Sequence, residues 1–520
     1  MYTYYEYISS NGVDLFTVIC LPEKGGQYPT VLQRSPYVDA EEMLAEAEIC
    51  AQRAEQFAEF TKAGYAVVLQ HCRGRGKSGG DCVPYIYERE DGLSLHEWIR
   101  GQSFYNGELY LCGGSYTAAV HYVTAPFADD IKGAILEIKD TQRYNCNYRN
   151  GFYKMGLHGG WYVGMYKRKS IPEKDFTPEH YKMLPLSDFS LKIFGERAAD
   201  FDEILRHPDK NDEFWRTSRF GGAEARDAVK HARIPILLTT GFYDTFAGGI
   251  FDMWRELDDE TRAQSVLAVH PFPHEGVGVN MPMEFEKGAL WEGFGNYHLS
   301  WIESIRGKCE SPFERGKITY YKMLENVWCC DGFFDATESR KMTFGKGSYT
   351  YRYDPADPAS FKGGLSANFG GTAWQDAPNS RGDILTFYTD EFENDTYIKG
   401  KMSARVRVAS DCEDTCFYMR VSLCKAEGDF GLRDNINQIS NFKPDYMPGE
   451  EIDMCFDFDD HAFVAKKGEK LRIDISSSAF PHYVPHTNNK GLFSEQKSAK
   501  IANNTVILHG AYIEIPIYTK

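Results

Sequence analysis

Leu109-Tyr110-Leu111-Cys112-Gly113-Gly114-Ser115-Tyr116 is an apolar run that breaks into two glycines and then a serine. An apolar strand followed by Gly-x-Ser is the pattern of a nucleophile elbow, where a sharp strand-to-helix turn lifts a serine hydroxyl above the sheet edge. Small residues flank the serine because a side chain would clash in that turn. The N–H of the next residue, Tyr116, is then placed to donate to a developing oxyanion. The pattern departs from its usual form at Thr117, which stands where a second glycine is common and is followed by Ala118 and Ala119. Taken alone, the segment reads equally well as a Gly-rich turn with an exposed serine.

A serine hydroxyl near its free pKa is a weak nucleophile and needs a histidine base oriented by a carboxylate. In an α/β-hydrolase sheet the three follow in chain order Ser, acid, His. Downstream, the apolar run Ile234-Pro235-Ile236-Leu237-Leu238-Thr239-Thr240 leads into Gly241-Phe242-Tyr243-Asp244, which puts Asp244 just past a strand end. Next, Val266-Leu267-Ala268-Val269 leads into His270-Pro271-Phe272-Pro273-His274, read as a Pro-rich loop carrying two histidines. Active sites in open α/β sheets gather at such strand ends. Asp244 alone reads as a turn aspartate and His274 alone as a solvated loop histidine. Together with Ser115, in the required order and each after its own strand, they point to a serine hydrolase.

At these residues the chain resembles the cocaine esterase and X-Pro dipeptidyl-peptidase group of serine hydrolases, the CocE/NonD family. Gln33-Arg34-Ser35-Pro36-Tyr37 is similar to the family's Arg-Thr-Pro-Tyr segment, and Arg73-Gly74-Arg75-Gly76-Lys77-Ser78-Gly79-Gly80 resembles its Arg-Gly-x-Gly-x-Ser turn. Glu90-Asp91-Gly92, Glu97-Trp98-Ile99 and Asn106-Gly107 resemble the stretch leading into the elbow. Gly241-Phe242-Tyr243-Asp244 is similar to its Gly-Trp-Tyr-Asp motif, and His270-Pro271-Phe272-Pro273-His274-Glu275-Gly276 to its Gly-Pro-Trp-x-His-Gly motif. Segments near Gly468–Ile473 and Ser476–Pro481 resemble parts of its C-terminal β domain. The resemblance implies Ser115 as nucleophile, His274 rather than His270 as general base, and Asp244 as its orienting acid. It also implies an oxyanion hole built from the Tyr116 N–H and the Tyr37 hydroxyl. Phe272 replaces the family's tryptophan, and Thr117 is expected to crowd the elbow helix against its strand.

The basic, Gly-rich run from Arg73 to Gly80 is not a phosphate loop: a Walker motif needs glycine six residues before Lys77, where His71 stands. It reads instead as a tight turn supporting the sheet. A net charge of −17 argues against a nucleic-acid partner, which would require a basic surface. It also offers nothing to an anionic membrane, and no stretch reaches the ~20 apolar residues of a membrane span. Neither cofactor nor metal is expected. The adjacent Cys329 and Cys330, and Cys412 with Cys416, have no nearby histidines to suggest zinc. Thirteen cysteines, and an N-terminal segment unlike a signal peptide, read as free thiols in a cytoplasmic protein. Homo-oligomer formation is left open.

At 520 residues, 42% hydrophobic and 14% aromatic, the chain should fold as several domains with sizeable cores. Residues 1–20 read as an edge hairpin, 28–33 and 65–71 as strands, 41–62 as a helix, and 109–112 and 133–138 as further strands. This βαβ alternation implies a mostly parallel sheet. Residues 141–231 lose the strand pattern and become aromatic and helical in patches, with Phe152, Tyr153, Trp161, Tyr162 and Tyr166. They read as a helical cap, too long for an ordinary connection, inserted into an α/β-hydrolase domain of residues 1–140 and 232–315. From 316 to 520, short alternating runs (317–323, 384–388, 402–408, 417–423, 512–518) fit an all-β sandwich, and the resemblance implies a jelly roll.

The expected function is hydrolysis of a small-molecule ester or amide through an acyl-enzyme. Two alternatives stand beside it: an X-Pro dipeptidyl-peptidase, and a binding protein with a lapsed hydrolase core. A substrate with a free α-amine would need a carboxylate near the site, for which Glu137, Asp140 or a cap acid could serve.

Overall fold

The structure, a computed structural model, describes residues 1–125, 129–166, 175–274, 296–366 and 370–519. The chain opens with the hairpin β1 (Tyr2–Ser10) and β2 (Val13–Leu21), followed by β3 (Tyr28–Ser35), β4 (Ala66–His71), β5 (Tyr105–Gly114) and β6 (Ile131–Glu137). The expected helix over 41–62 starts later, at Glu46–Gln56, and a second short helix follows at Ala58–Lys62. Glu41 lies outside it because its carboxylate turns inward to meet the His71 ring and the Arg53 guanidinium.

The cap that follows β6 is mainly helical, with segments including Met155–Met165, Phe189–Phe194 and Ala199–Arg206. It does not lack strands: β7 (Tyr148–Arg149) and β8 (Phe152–Tyr153) form a two-stranded ribbon. Asn150 and Gly151, at φ 50° and 89°, make its two-residue turn, the backbone that Asn-Gly favours. Tyr148, Tyr153, Tyr162, Phe189, Phe201 and Trp215 pack into an apolar core that Val484 of the C-terminal region completes.

The chain returns to the sheet with β9 (Ile236–Tyr243) and β10 (Val266–Pro273), then β11 (Lys317–Lys322) and β12 (Val327–Asp331). The ten strands run in the order β1-β2-β4-β3-β5-β6-β9-β10-β11-β12. All contacts from β4 to β11 are parallel. Strands β4, β9 and β10 are buried along their whole length, as expected of parallel strands covered on both faces. On β4 the alternation sends Val67 and Leu69 into one core, with Ile49 and Trp301, and Ala66 and Val68 into the other, with Leu95 and Trp254. The run at 317–323, expected in the sandwich, forms β11 instead and pairs with β10. A short alternating run fits either sheet, and only the tertiary partner distinguishes them.

The C-terminal region is all β. Seven strands form one sheet: β13 (Glu338–Thr343), β14 (Ser348–Tyr353), β16 (Thr396–Gly400), β17 (Ser403–Ser410), β20 (Ile452–Asp457), β21 (His461–Ala465) and the long β23 (Ala502–Ile517). Strands β15 (Leu385–Tyr388), β18 (Cys416–Lys425), β19 (Gly428–Gln438) and β22 (Lys470–Ser476) form the other. Among the described residues, no helix is long and apolar enough to cross a membrane.

Candidate active site

The sheet order reverses between β3 and β5, and the crevice at such a reversal is where an open α/β sheet binds ligands. Ser115 sits there, between β5 and the helix Tyr116–Tyr122, at φ 55° and ψ −126°. That backbone is strained for a residue with a Cβ and persists only where its neighbours over-determine it. Here they do. The Ser115 N–H donates to the Glu137 carbonyl at 2.9 Å. The Thr117 hydroxyl accepts the Gly114 N–H at 2.7 Å and donates to the Gly114 carbonyl at 2.6 Å. A Cβ on Gly113 would lie 2.2 Å from the Thr117 carbonyl oxygen. The crowding expected at Thr117 is therefore absorbed by Gly113, and the hydroxyl ties the turn together.

The structure brings the three residues singled out from the sequence to one point. His274 Nε2 lies 3.0 Å from Ser115 Oγ, and His274 Nδ1 lies 3.1 Å from Asp244 Oδ1. Asp244 is fully buried. Its Oδ1 accepts the Phe246 N–H at 3.0 Å and its Oδ2 accepts the Thr240 hydroxyl at 3.3 Å, which fixes the carboxylate toward the imidazole. The Phe246 ring lies 5.1 Å from the His274 ring.

His270 is excluded from this group by its surroundings. It does not end its strand, as the sequence suggests. β10 continues to Pro273 through an irregularity after His270, and His274 is the first residue beyond it. The His270 ring packs where Gly241 has no side chain, and its Nδ1 accepts the Phe272 N–H at 3.1 Å. Burial pushes its pKa down to about 4, so it is neutral at pH 7. Glu275 and Gly276 of the same motif lie outside the described residues.

On the other side of Ser115, the Tyr37 hydroxyl stands 3.5 Å from Oγ and accepts the Trp161 indole N–H at 3.3 Å. The loop carrying Tyr37 is held by Arg75, which donates to the carbonyls of Pro36 at 2.9 Å and Met165 at 2.8 Å. This is the work of the basic Gly-rich turn. The Tyr116 N–H belongs to the first turn of its helix, whose amides have no acceptor within the helix. Its side chain is anchored: the hydroxyl donates to Glu88 at 2.8 Å and accepts the Tyr85 N–H at 2.6 Å. Glu88 in turn pairs with the buried Arg34 at 2.8 Å.

Sequence reasoning assigned no role to Trp161, Tyr85 or Glu88, although Trp161 was counted among the cap aromatics. Of the carboxylates considered for an amine, Glu137 is taken by Thr239 (3.1 Å), Tyr297 (2.8 Å) and His298 (3.1 Å). Asp140 accepts the Asn145 amide at 3.0 Å and lies 3.7 Å from the Lys139 ammonium.

Comparison with known proteins places the chain among relatives of matching architecture. Residues 11–276 match the X-Pro dipeptidyl-peptidase (S15) family, and residues 335–514 match the X-Pro dipeptidyl-peptidase C-terminal non-catalytic domain. The chain is 23% identical to the cocaine esterase of Rhodococcus sp. (strain MB1 Bresler), over 96% of this chain and 94% of that one. An aminopeptidase from a marine sediment Thaumarchaeota archaeon superposes with a TM-score of 0.80 at 16% identity, covering 100% and 96% of the two chains. An α-amino acid ester hydrolase superposes at 0.79 with 16% identity, covering 99% and 96%.

Proposed function

The chain belongs to the X-Pro dipeptidyl-peptidase (S15) family and is a serine hydrolase; from that premise we propose that Ser115, His274 and Asp244 carry out acyl transfer from an ester or amide to water. His274 Nε2 takes the Ser115 proton as Oγ attacks the carbonyl carbon, then returns it to the leaving group. Asp244 keeps Nδ1 protonated and supports the imidazolium that forms. A water then repeats the sequence on the acyl-enzyme. The negative oxygen of each tetrahedral intermediate meets the Tyr116 N–H and the Tyr37 hydroxyl. Because Trp161 already donates to the Tyr37 oxygen, the Tyr37 proton is left to point at the oxyanion. The observation that carries this reading is the pair of contacts on His274, 3.0 Å to the serine and 3.1 Å to the aspartate.

The substrate is a small ester or amide whose acyl group fits beneath the aromatic cap. The family description favours a second reading, release of X-Pro dipeptides from a peptide N-terminus. Against it, Glu137 is taken by Thr239, Tyr297 and His298, and Asp140 is buried with the Lys139 ammonium 3.7 Å away. Thirteen cysteines without a disulfide support a reducing, cytoplasmic setting. A panel of p-nitrophenyl esters and dipeptidyl-Pro p-nitroanilides tests the reading. Turnover of the esters is expected, anilide turnover with no ester turnover would favour the peptidase, and no turnover of either would reject both.

A further inference from the structure

Two cations lie beneath the cap: Lys139 is one ring, Phe246, from His274, and Arg143 packs behind Tyr85, which stacks on Tyr116 beside the nucleophile. Arg143 is only 7% exposed. Its Nη2 donates to the Tyr162 hydroxyl at 2.8 Å, but Nε and Nη1 are enclosed and bonded to nothing. The guanidinium lies 3.8 Å from the centre of the Tyr85 ring, which stacks on Tyr116 at 4.2 Å. Lys139 is 3% exposed, donates to the Asp140 carbonyl at 3.0 Å, and stands 4.7 Å from the centre of Phe246, the ring that packs on His274. Both cations line a cavity of about 40 Å³ with Tyr85, Glu88, Asp140 and Arg219. That volume exceeds what one water requires.

Lys139 pairs with Asp140 at 3.7 Å and donates to the Cys146 sulfur at 2.6 Å, whereas no carboxylate oxygen among the described residues stands within 4 Å of the Arg143 guanidinium. Asp200 is in electrostatic reach of Arg143, but its hydrogen bond goes to Tyr166 and its Oδ2 meets no donor. Glu88 is committed to Arg34 and Tyr116. Asp140 Oδ1 lacks a hydrogen bond, and burial pushes both Asp140 and Asp200 above the ordinary carboxylate value. His158, also enclosed with an unbonded Nδ1, reports the local potential. Burial first, then the positive charges of Arg143, Lys139 and Lys154, push it well down. Backbone strain is held at the same place: Tyr85 has φ 70°, and Ile138, just before Lys139, has φ 45°. A β-branched residue at positive φ is a true outlier and marks a position the surrounding structure enforces.

An enclosed guanidinium with unmade hydrogen bonds is costly, and its natural acceptor is a carboxylate. The net charge of −17 gives an anionic substrate no long-range attraction, so recognition has to be local. We propose that Arg143 and Lys139 form the cationic end of the acyl subsite, and that the preferred substrates are esters or amides whose acyl group ends in a carboxylate. This rests on the serine hydrolase reading and narrows its substrate class; it also disfavours a free α-ammonium group.

The test pairs mono-p-nitrophenyl esters of adipate, pimelate and suberate with the p-nitrophenyl esters of hexanoate, heptanoate and octanoate. At the best chain length, kcat/KM for the anionic ester should exceed that for its neutral partner by about tenfold or more, the scale of one charge-assisted contact. Arg143→Gln and Lys139→Gln should each bring that ratio toward one, and Arg143→Lys should restore part of it. A neutral preference in the wild type, or a ratio unchanged in both Gln variants, overturns the proposal. Should the Gln variants fail to fold, adipate must inhibit wild-type hexanoate-ester hydrolysis more strongly than adipamide, and equal inhibition overturns it. Turnover of neutral esters without anionic preference rejects this inference alone, whereas no ester turnover at all rejects the hydrolase reading beneath it.

Discussion

Trp161 on the cap helix donates its indole N–H to the Tyr37 hydroxyl at 3.3 Å, although the two residues are 124 positions apart. One hydrogen bond thus joins the cap to the loop that faces Ser115. The indole occupies a lone pair of the phenol. In the proposed mechanism this leaves the phenol proton for an incoming oxyanion and couples cap position to oxyanion stabilisation.

Tyr37→Phe is therefore expected to lower kcat by about 10²–10³ with little change in KM, the usual cost of one oxyanion donor. Trp161→Phe should lower kcat by less, because the phenol stays but loses its orientation. Steady-state kinetics of both variants check this. A rise in KM with kcat intact in Tyr37→Phe would make Tyr37 a binding residue only.

Thr117→Val removes the hydroxyl that ties the elbow to Gly114 at 2.7 and 2.6 Å. A loss of about 1 kcal/mol of stability is expected, the typical worth of such hydrogen bonds, together with reduced kcat as the strained Ser115 backbone relaxes. Thr117→Ser should retain both properties. Thermal unfolding and turnover measured side by side decide the matter; a fully stable, fully active valine variant would show the hydroxyl to be incidental.

The two histidines of one segment should separate cleanly. His274→Ala is expected to abolish activity, whereas His270→Ala should act mainly on stability, since His270 packs against Gly241 and bonds the Phe272 amide. The wild-type kcat/KM should rise with pH through a single ionisation, because only a neutral imidazole accepts the serine proton. Full activity in His274→Ala would move the base elsewhere.

Stability should fall on mild acidification independently of catalysis. Burial pushes His96, His270 and His482 down to about 4 and His121 to about 3. An unfolded chain protonates these groups near pH ~6.5, so between there and their folded values the unfolded state binds more protons and is favoured as pH drops. Their contribution is complete above that range and lost progressively down to about pH 4, and for His121 to about pH 3. Denaturant midpoints across pH 4–7 should decline toward acid, and His270→Gln should flatten part of the slope. A flat profile would mean these rings titrate normally.

The elbow was legible because its chemistry is local: a turn that tight demands Gly113, where a Cβ would meet the Thr117 carbonyl oxygen. Asp244 and His274 were legible because each follows an unmistakable buried strand. Tyr37 came only from resemblance, since no local pattern distinguishes an oxyanion tyrosine from any exposed one. Trp161, Tyr85 and Glu88 were missed because their roles arise from contacts between distant segments, which no periodicity encodes. The β7–β8 ribbon is a different case. Its Asn150-Gly151 turn was a readable signal, masked by the helical composition around it. β11 was misplaced because an alternating run does not reveal which sheet completes it.

The most direct test of the central claim is covalent labelling of the nucleophile. A fluorophosphonate probe should modify wild-type protein stoichiometrically, and peptide mass spectrometry should locate the adduct on Ser115. Ser115→Ala should remain folded, take up no probe, and lose turnover by ~10⁴–10⁶, the range for removal of a triad member. An adduct on another residue, or a Ser115→Ala protein keeping more than about a tenth of wild-type turnover, far outside that range, would contradict the assignment.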